Sequence, residues 1–229
     1  MLTALFTQNF TQKSMGMKIL LKYGAFNLVL LLLLTFLLIW ITQKIILTPE
    51  FYENSGDPLS GVPGQGGSIL DMMQKWVYIS AAIYLLFKLG CITLILHTAL
   101  YLNNQNVSLS SIFKIATLAE YLFLIPAAIK IATFTSTYHG GNLLDWHRYY
   151  IFSALLLFKE IPADWYYALQ SLNLFEVLYW FLLGYLIKQI SSLSFDQSLR
   201  IVAVSYIPAL VIWISAVTFI SLLMFPSTG

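Results

Sequence analysis

The chain has one cysteine, three histidines, seven prolines and few charges, only 10% of its 229 residues. A single cysteine, Cys91, excludes an intramolecular disulfide and any cysteine-rich metal site. A typical soluble domain carries about 25% charged residues, so this chain has too little polar surface to enclose a core in water. Twelve Lys+Arg against ten Asp+Glu leave a net charge of +2, which excludes a nucleic-acid footprint. The serine-hydrolase elbow and the zinc-peptidase helix motif are both missing. Gly64-Gln65-Gly66-Gly67 lacks the Lys-Ser/Thr that would make it a phosphate cradle. Asp145-Trp146-His147-Arg148, with His139 nearby, holds metal-ligand residue types but reads as interface anchoring. The expectation is therefore non-enzymatic, with no catalytic residue, cofactor or metal.

What is there instead is apolar. The hydrophobic set makes up 59% of the chain and aromatics 16%. A span needs about 20 apolar residues to cross about 30 Å of hydrocarbon, and windows poor in charge fall at about 23–43, 76–102, 112–134, 165–187 and 201–225. The expected fold class is all-α, a polytopic membrane bundle of five transmembrane helices. It forms one membrane domain over 19–229 with external loops at 44–75 and 135–164. The first apolar run is longer than a signal-peptide core, and Ile41-Thr42-Gln43-Lys44 offers no small-residue cleavage site. It reads as a retained anchor.

Orientation follows the Lys/Arg bias of the short loops. With the N-terminus inside, Lys13, Lys18, Lys22, Lys114, Lys188 and Arg200 are cytoplasmic, against Lys44, Lys75, Arg148 and Lys159 outside. This favours N-terminus in, C-terminus out. Residues 1–18 place Leu2, Leu5, Phe6, Phe10 and Met17 at roughly helical spacing, which suits a short interfacial helix. Pro49 to Ser68, with three prolines and five glycines, reads as a flexible external loop. Residues 143–158 form a partly amphipathic run too short to cross, either lying on the outer interface or dipping into it.

Two turns read alike. Ser108 to Ala116 precedes the third span and Ser194 to Val202 the fifth, each with a Ser-led helix start and a basic residue before the apolar run. Each span then carries Ile-Pro-Ala, at Ile125-Pro126-Ala127 and Ile207-Pro208-Ala209. Either spans two-three and four-five are duplicated hairpins behind an N-terminal span, or membrane composition converged. Ile161-Pro162-Ala163 shows that the tripeptide also arises outside a span. Pro126 and Pro208 are the helix-kink candidates, since proline removes a backbone hydrogen bond and crowds the preceding turn.

Ionisable residues inside the spans are costly and need a partner or a wet cavity. At 1.5 Å per residue, Lys88 lies about 18 Å and Glu176 about 16 Å deep from the outer side. The matched depths suggest a Lys88–Glu176 pair between spans two and four. His97 and Glu120 fall at comparable depths on consecutive antiparallel helices and are a second candidate pair. These four residues either fix helix register or line a proton or ion path.

Ala168 to Trp180 leads into Phe181-Leu182-Leu183-Gly184-Tyr185, and Ser194, Ser198-Leu199-Arg200-Ile201 and Tyr206-Ile207-Pro208 follow. This stretch resembles the Yip (Rab-interacting) integral membrane family in its compact bacterial form. The resemblance spans about residues 76–225 through loose apolar patterns. It departs from the family at Leu178, where a Trp-like position is expected, and lacks the long N-terminal region of eukaryotic members. The resemblance implies five spans, a cytoplasmic N-terminus, a short external C-terminus and a role in organising membranes or scaffolding complexes. The implied partners are the lipid bilayer and a membrane protein or second copy, with no nucleic acid. The competing expectation is a transport component, a permease subunit or a proton-coupled carrier using Lys88 and Glu176.

Overall fold

The computed structural model describes residues 22–56, 66–138, 140–158, 161 and 165–224. The expected interfacial helix at 1–18 lies outside these residues. Among the described residues every regular element is helical.

Helix α1, Gly24–Ile45, forms from the leucine-rich run. Helix α2, Pro49–Asn54, starts where Thr48 Oγ1 accepts from the Phe51 N–H and Pro49 occupies the first helical position. Proline is preorganised there, because its missing N–H would have had no intrahelical acceptor. The stretch expected to be a flexible loop thus contains a capped helical turn. Helix α3, Gly66–Leu102, begins ten residues before the expected span and has 37 residues. It is about 55 Å long at 1.5 Å per residue, well beyond the hydrocarbon thickness.

Asn104, at φ 56°, turns the chain after α3, a left-handed position that asparagine tolerates better than most residues. Helix α4, Leu109–Glu120, opens on Ser108, whose hydroxyl accepts from the Ser111 N–H. A 3-10 turn, Tyr121–Phe123, leads into helix α5, Leu124–Thr137.

The expected run at 143–158 is broken. Helix α6, Leu143–Arg148, is held by a capping box between Asn142 and Asp145, and a 3-10 turn covers Ala154–Leu157. The fourth expected span is also broken. Helix α7, Tyr166–Ser171, ends before Asn173, and helix α8, Leu174–Ile190, has 17 residues. Helix α9, Phe195–Met224, continues through Pro208. Ser194 and Gln197 cap its start reciprocally.

Among the described residues, four segments are long and apolar enough to cross a membrane: Gly24–Ile45, Asp71–Leu102, Leu109–Thr137 and Phe195–Leu223. The chain therefore has the helices of a multi-pass integral membrane protein.

The chain divides into two compact units. The first gathers the described residues up to Leu31, with Lys88–Tyr121 and Leu178–Leu210. The second gathers Leu32–Phe87, Leu122–Val177 and the chain from Val211. The first unit has a tightly closed core: Leu31, Leu89, Leu96, Ile112, Ile115, Tyr179, Leu183 and Ile187 are all fully buried. The approach of α8 to α9 within it is close, since a Cβ on Gly184 would stand 3.2 Å from the Leu199 Cα. Just before the two Ser-led helix starts, Ser192 Oγ donates to Gln105 Oε1 at 2.9 Å.

The second unit is held differently, by aromatic rings around Phe134. Phe51, Tyr138, Trp146 and Tyr149 stand at centroid distances of 6.2, 5.3, 5.0 and 6.0 Å from it.

Candidate functional site

Within the first unit, α3 presents Lys88 toward α4, where Glu120 is the last residue of the helix. Lys88 Nζ donates to Glu120 Oε2 at 2.9 Å, with the lysine side chain 24% and the glutamate 4% exposed. The ammonium also lies 5.5 Å from the ring centroid of Tyr179, on α8. A cation over a desolvated aromatic face gains electrostatic stabilisation. Tyr179 is fully buried and its ring stands 5.6 Å from that of Tyr206 on α9. Side chains from four helices thus meet in succession: Glu120, Lys88, Tyr179 and Tyr206.

The local backbone explains why Glu120 ends α4. Pro126 has no N–H to offer Leu122, and its ring would press on that carbonyl in a regular α-helix. The chain answers by tightening to the 3-10 turn Tyr121–Phe123. Tyr121 then reaches across to α1, its hydroxyl donating to the Asn27 carbonyl at 2.7 Å. Glu120 Oε1 is buried and has no hydrogen-bond partner among the described residues. The pair can therefore hold two helices in register, and the carboxylate keeps an oxygen able to accept a further hydrogen.

Each of the other sequence candidates has its own local setting. Glu120 receives its hydrogen bond from Lys88, whereas the depth argument had placed it beside His97. His97 is nine residues further along α3, about 13 Å at 1.5 Å per residue, and half-buried. Glu176 belongs to the second unit. It stands in the first turn of α8, with its N–H donating to Asn173 Oδ1 at 2.9 Å, and is 6% exposed. The break at Leu172–Asn173 thus puts Glu176 near a helix start, not eleven residues into a continuous span. A carboxylate there is favoured by the positive end of the helix dipole. Pro208 lies inside α9 without interrupting it.

In the second unit the Lys130 ammonium lies against two aromatic rings. Lys130 Nζ lies 4.2 Å from the Trp146 centroid and 4.7 Å from that of Tyr150. The signal available in the sequence was the aromatic cluster Trp146, Tyr149 and Tyr150, but nothing there showed which cation would meet it. Just outside the span, burial pushes the Tyr138 hydroxyl up, and the Asp145 carboxylate adds to this. Burial lowers His147 below its ordinary 6.5, and the Lys130 charge adds to the effect.

Among the described residues no group of three or more His, Cys, Asp or Glu could hold a metal ion. No family model, curated protein or solved structure matches the chain.

Proposed function

We propose that this is a non-enzymatic membrane protein of Yip type, with five spans, that organises a bacterial inner membrane or scaffolds a complex within it. The observation that carries this reading is the Lys88–Glu120 bond, which directs two strong intramembrane charges at each other between helices. A charged pair used this way fixes register and supports a rigid frame. The fifth span in this reading is α8, whose 17 residues reach the lower end of the spanning range of about 17–25. The N-terminus faces the cytoplasm and the short C-terminus the outside. The test is purification of the full chain in mild detergent, with mass spectrometry of what co-elutes. A stoichiometric membrane protein or a second copy supports the scaffold, and a nucleotide-binding subunit overturns it.

The second reading is a transport component, a small-solute permease subunit or a proton-coupled carrier using Lys88 and Glu176. It is favoured by the unpartnered Glu120 Oε1 beside a 3-10 turn, because transporters place ion sites at interrupted helices. Proton flux into proteoliposomes separates the readings. Flux lost in E120Q or E176Q at unchanged thermal stability supports the carrier, and absence of flux in the unmodified protein removes it.

A further inference from the structure

Tyr149 to Phe158 is a ten-residue stretch with no charge, bracketed in sequence by Arg148 and Lys159. Ten such residues are too few to cross a bilayer as a helix, but they suit a segment that enters the interface and returns. The fold of this stretch departs from that of a loop facing water. Phe152 adopts φ 50°, a left-handed conformation that bulky side chains avoid. The chain reverses there into the 3-10 turn Ala154–Leu157.

Part of the backbone of the turn is bonded within the fold. Ala154 N–H donates to the Leu172 carbonyl at 2.8 Å, and Leu174 N–H donates to the Phe152 carbonyl at 3.0 Å. The Leu156 and Phe158 N–H groups donate to Ser153 and Leu155 carbonyls, and Ser153 Oγ donates to the Tyr150 carbonyl.

The side chains point the other way. Phe152, Leu156, Leu157 and Phe158 are 57, 67, 80 and 54% exposed, whereas Ser153 and Leu155 are buried. Bonded polar groups inside and bare apolar side chains outside are what hydrocarbon requires of a backbone. The Ser153–Asn173 bridge ties this turn to the start of α8, where Leu174 and Val177 are also exposed. The apolar surface of the turn therefore runs on into the flank of a helix. At the other end Arg148 lies over the Tyr166 ring at 4.7 Å. A basic head over an aromatic body suits the headgroup layer, where the stem stays apolar and the charge reaches lipid phosphate.

We infer that residues 152–158 are a re-entrant turn seated in the acyl chains of the outer leaflet, with Leu156 and Leu157 deepest and Arg148 at the phosphates. The inference rests on the proposed orientation for its leaflet and holds for a scaffold or a carrier alike. The test uses the full chain with Cys91→Ala, reconstituted in phosphatidylcholine–phosphatidylglycerol vesicles. A single cysteine at Leu157→Cys carries an environment-sensitive fluorophore, and Glu53→Cys, an exposed position on α2, is the reference. The expected result is blue-shifted emission at Leu157→Cys, strong quenching by lipids brominated on the acyl chain and weak quenching by aqueous iodide. If Leu157→Cys is not recovered as monodisperse protein, Leu156→Cys is read in the same way. Bromolipid quenching no stronger than at Glu53→Cys overturns the inference. So does protection from both quenchers that fades as protein is diluted into lipid, which would mark a second copy as the cover.

Discussion

Lys88 and Glu120 meet at 2.9 Å across two helices, but they are buried to different extents, 24% against 4% exposure. Removing one member of a buried pair costs about 3–5 kcal/mol, because the other charge is left without compensation. The asymmetry sets the order of the two losses. K88M strands the deeper carboxylate and should destabilise more, near the top of that range. E120Q leaves the ammonium its contact with the Tyr179 ring and the better exposed position of the two, and should cost less. The double variant K88M/E120Q should recover part of the loss. Thermal unfolding of the three variants in one detergent checks the order, and equal losses in K88M and E120Q would count against it.

The 3-10 turn at Tyr121–Phe123 is attributed to Pro126, so P126A should convert it to regular helix. The new N–H at position 126 can donate to the Leu122 carbonyl, which proline forbids. Hydrogen exchange by mass spectrometry should show slower exchange over 121–127 in P126A. Unchanged or faster exchange would mean that Pro126 is not the cause of the turn.

Two adjacent glycines should fail for different reasons. A Cβ at Gly141 would stand 2.7 Å from Tyr138 Cβ and 3.1 Å from Phe134 Cζ, an overlap with a side chain root that cannot swing away. Overpacking of this kind costs about 1–3 kcal/mol, so G141A should loosen the rings around Phe134. Gly140 meets nothing within 4 Å but sits at φ +74°. G140A is strained only through its backbone, and G140N should be milder, since asparagine tolerates the left-handed region. Near-ultraviolet circular dichroism and melting temperature distinguish them. G141A should lose aromatic signal, and G140N should keep it.

Burial, aided by the Lys130 charge, holds His147 below its ordinary 6.5. The folded state then binds fewer protons at this site than the unfolded chain as pH falls through that value, so stability rises with pH there. The contribution is present above about 6.5 and is lost progressively on acidification. Melting temperatures from pH 8 to 5.5 should fall less in H147F than in the unmodified protein. K130M should reduce the slope without abolishing it, because burial remains. A slope unchanged in H147F would assign the pH dependence to other groups.

Much of the architecture was legible along the chain because it depends on composition and local spacing. The dearth of charge and the long apolar runs required membrane helices, and four long apolar helices are present among the described residues. Ser108 and Ser194 marked helix starts because short hydroxyl side chains satisfy first-turn N–H groups wherever they precede a helix. Depth counting rests on a premise that the fourth expected span does not meet. It assumes an unbroken helix, and the break at Leu172–Asn173 moves Glu176 to a first turn. It also gives height in the membrane but not azimuth around each helix, and azimuth is what brings Lys88 to Glu120.

The sequence by itself determined that the chain is helical, membrane-embedded and marked by a handful of interior charges, since these follow from the cost of exposing apolar surface to water or charge to hydrocarbon. Only the tertiary structure decided which charges meet. A side chain's partner depends on how the helices rotate and pack against one another, and those rotations are settled by shared cores such as Leu89, Ile115 and Tyr179, not by any one segment. The same holds for Lys130, whose ammonium lies against Trp146 and Tyr150, well along the chain from it.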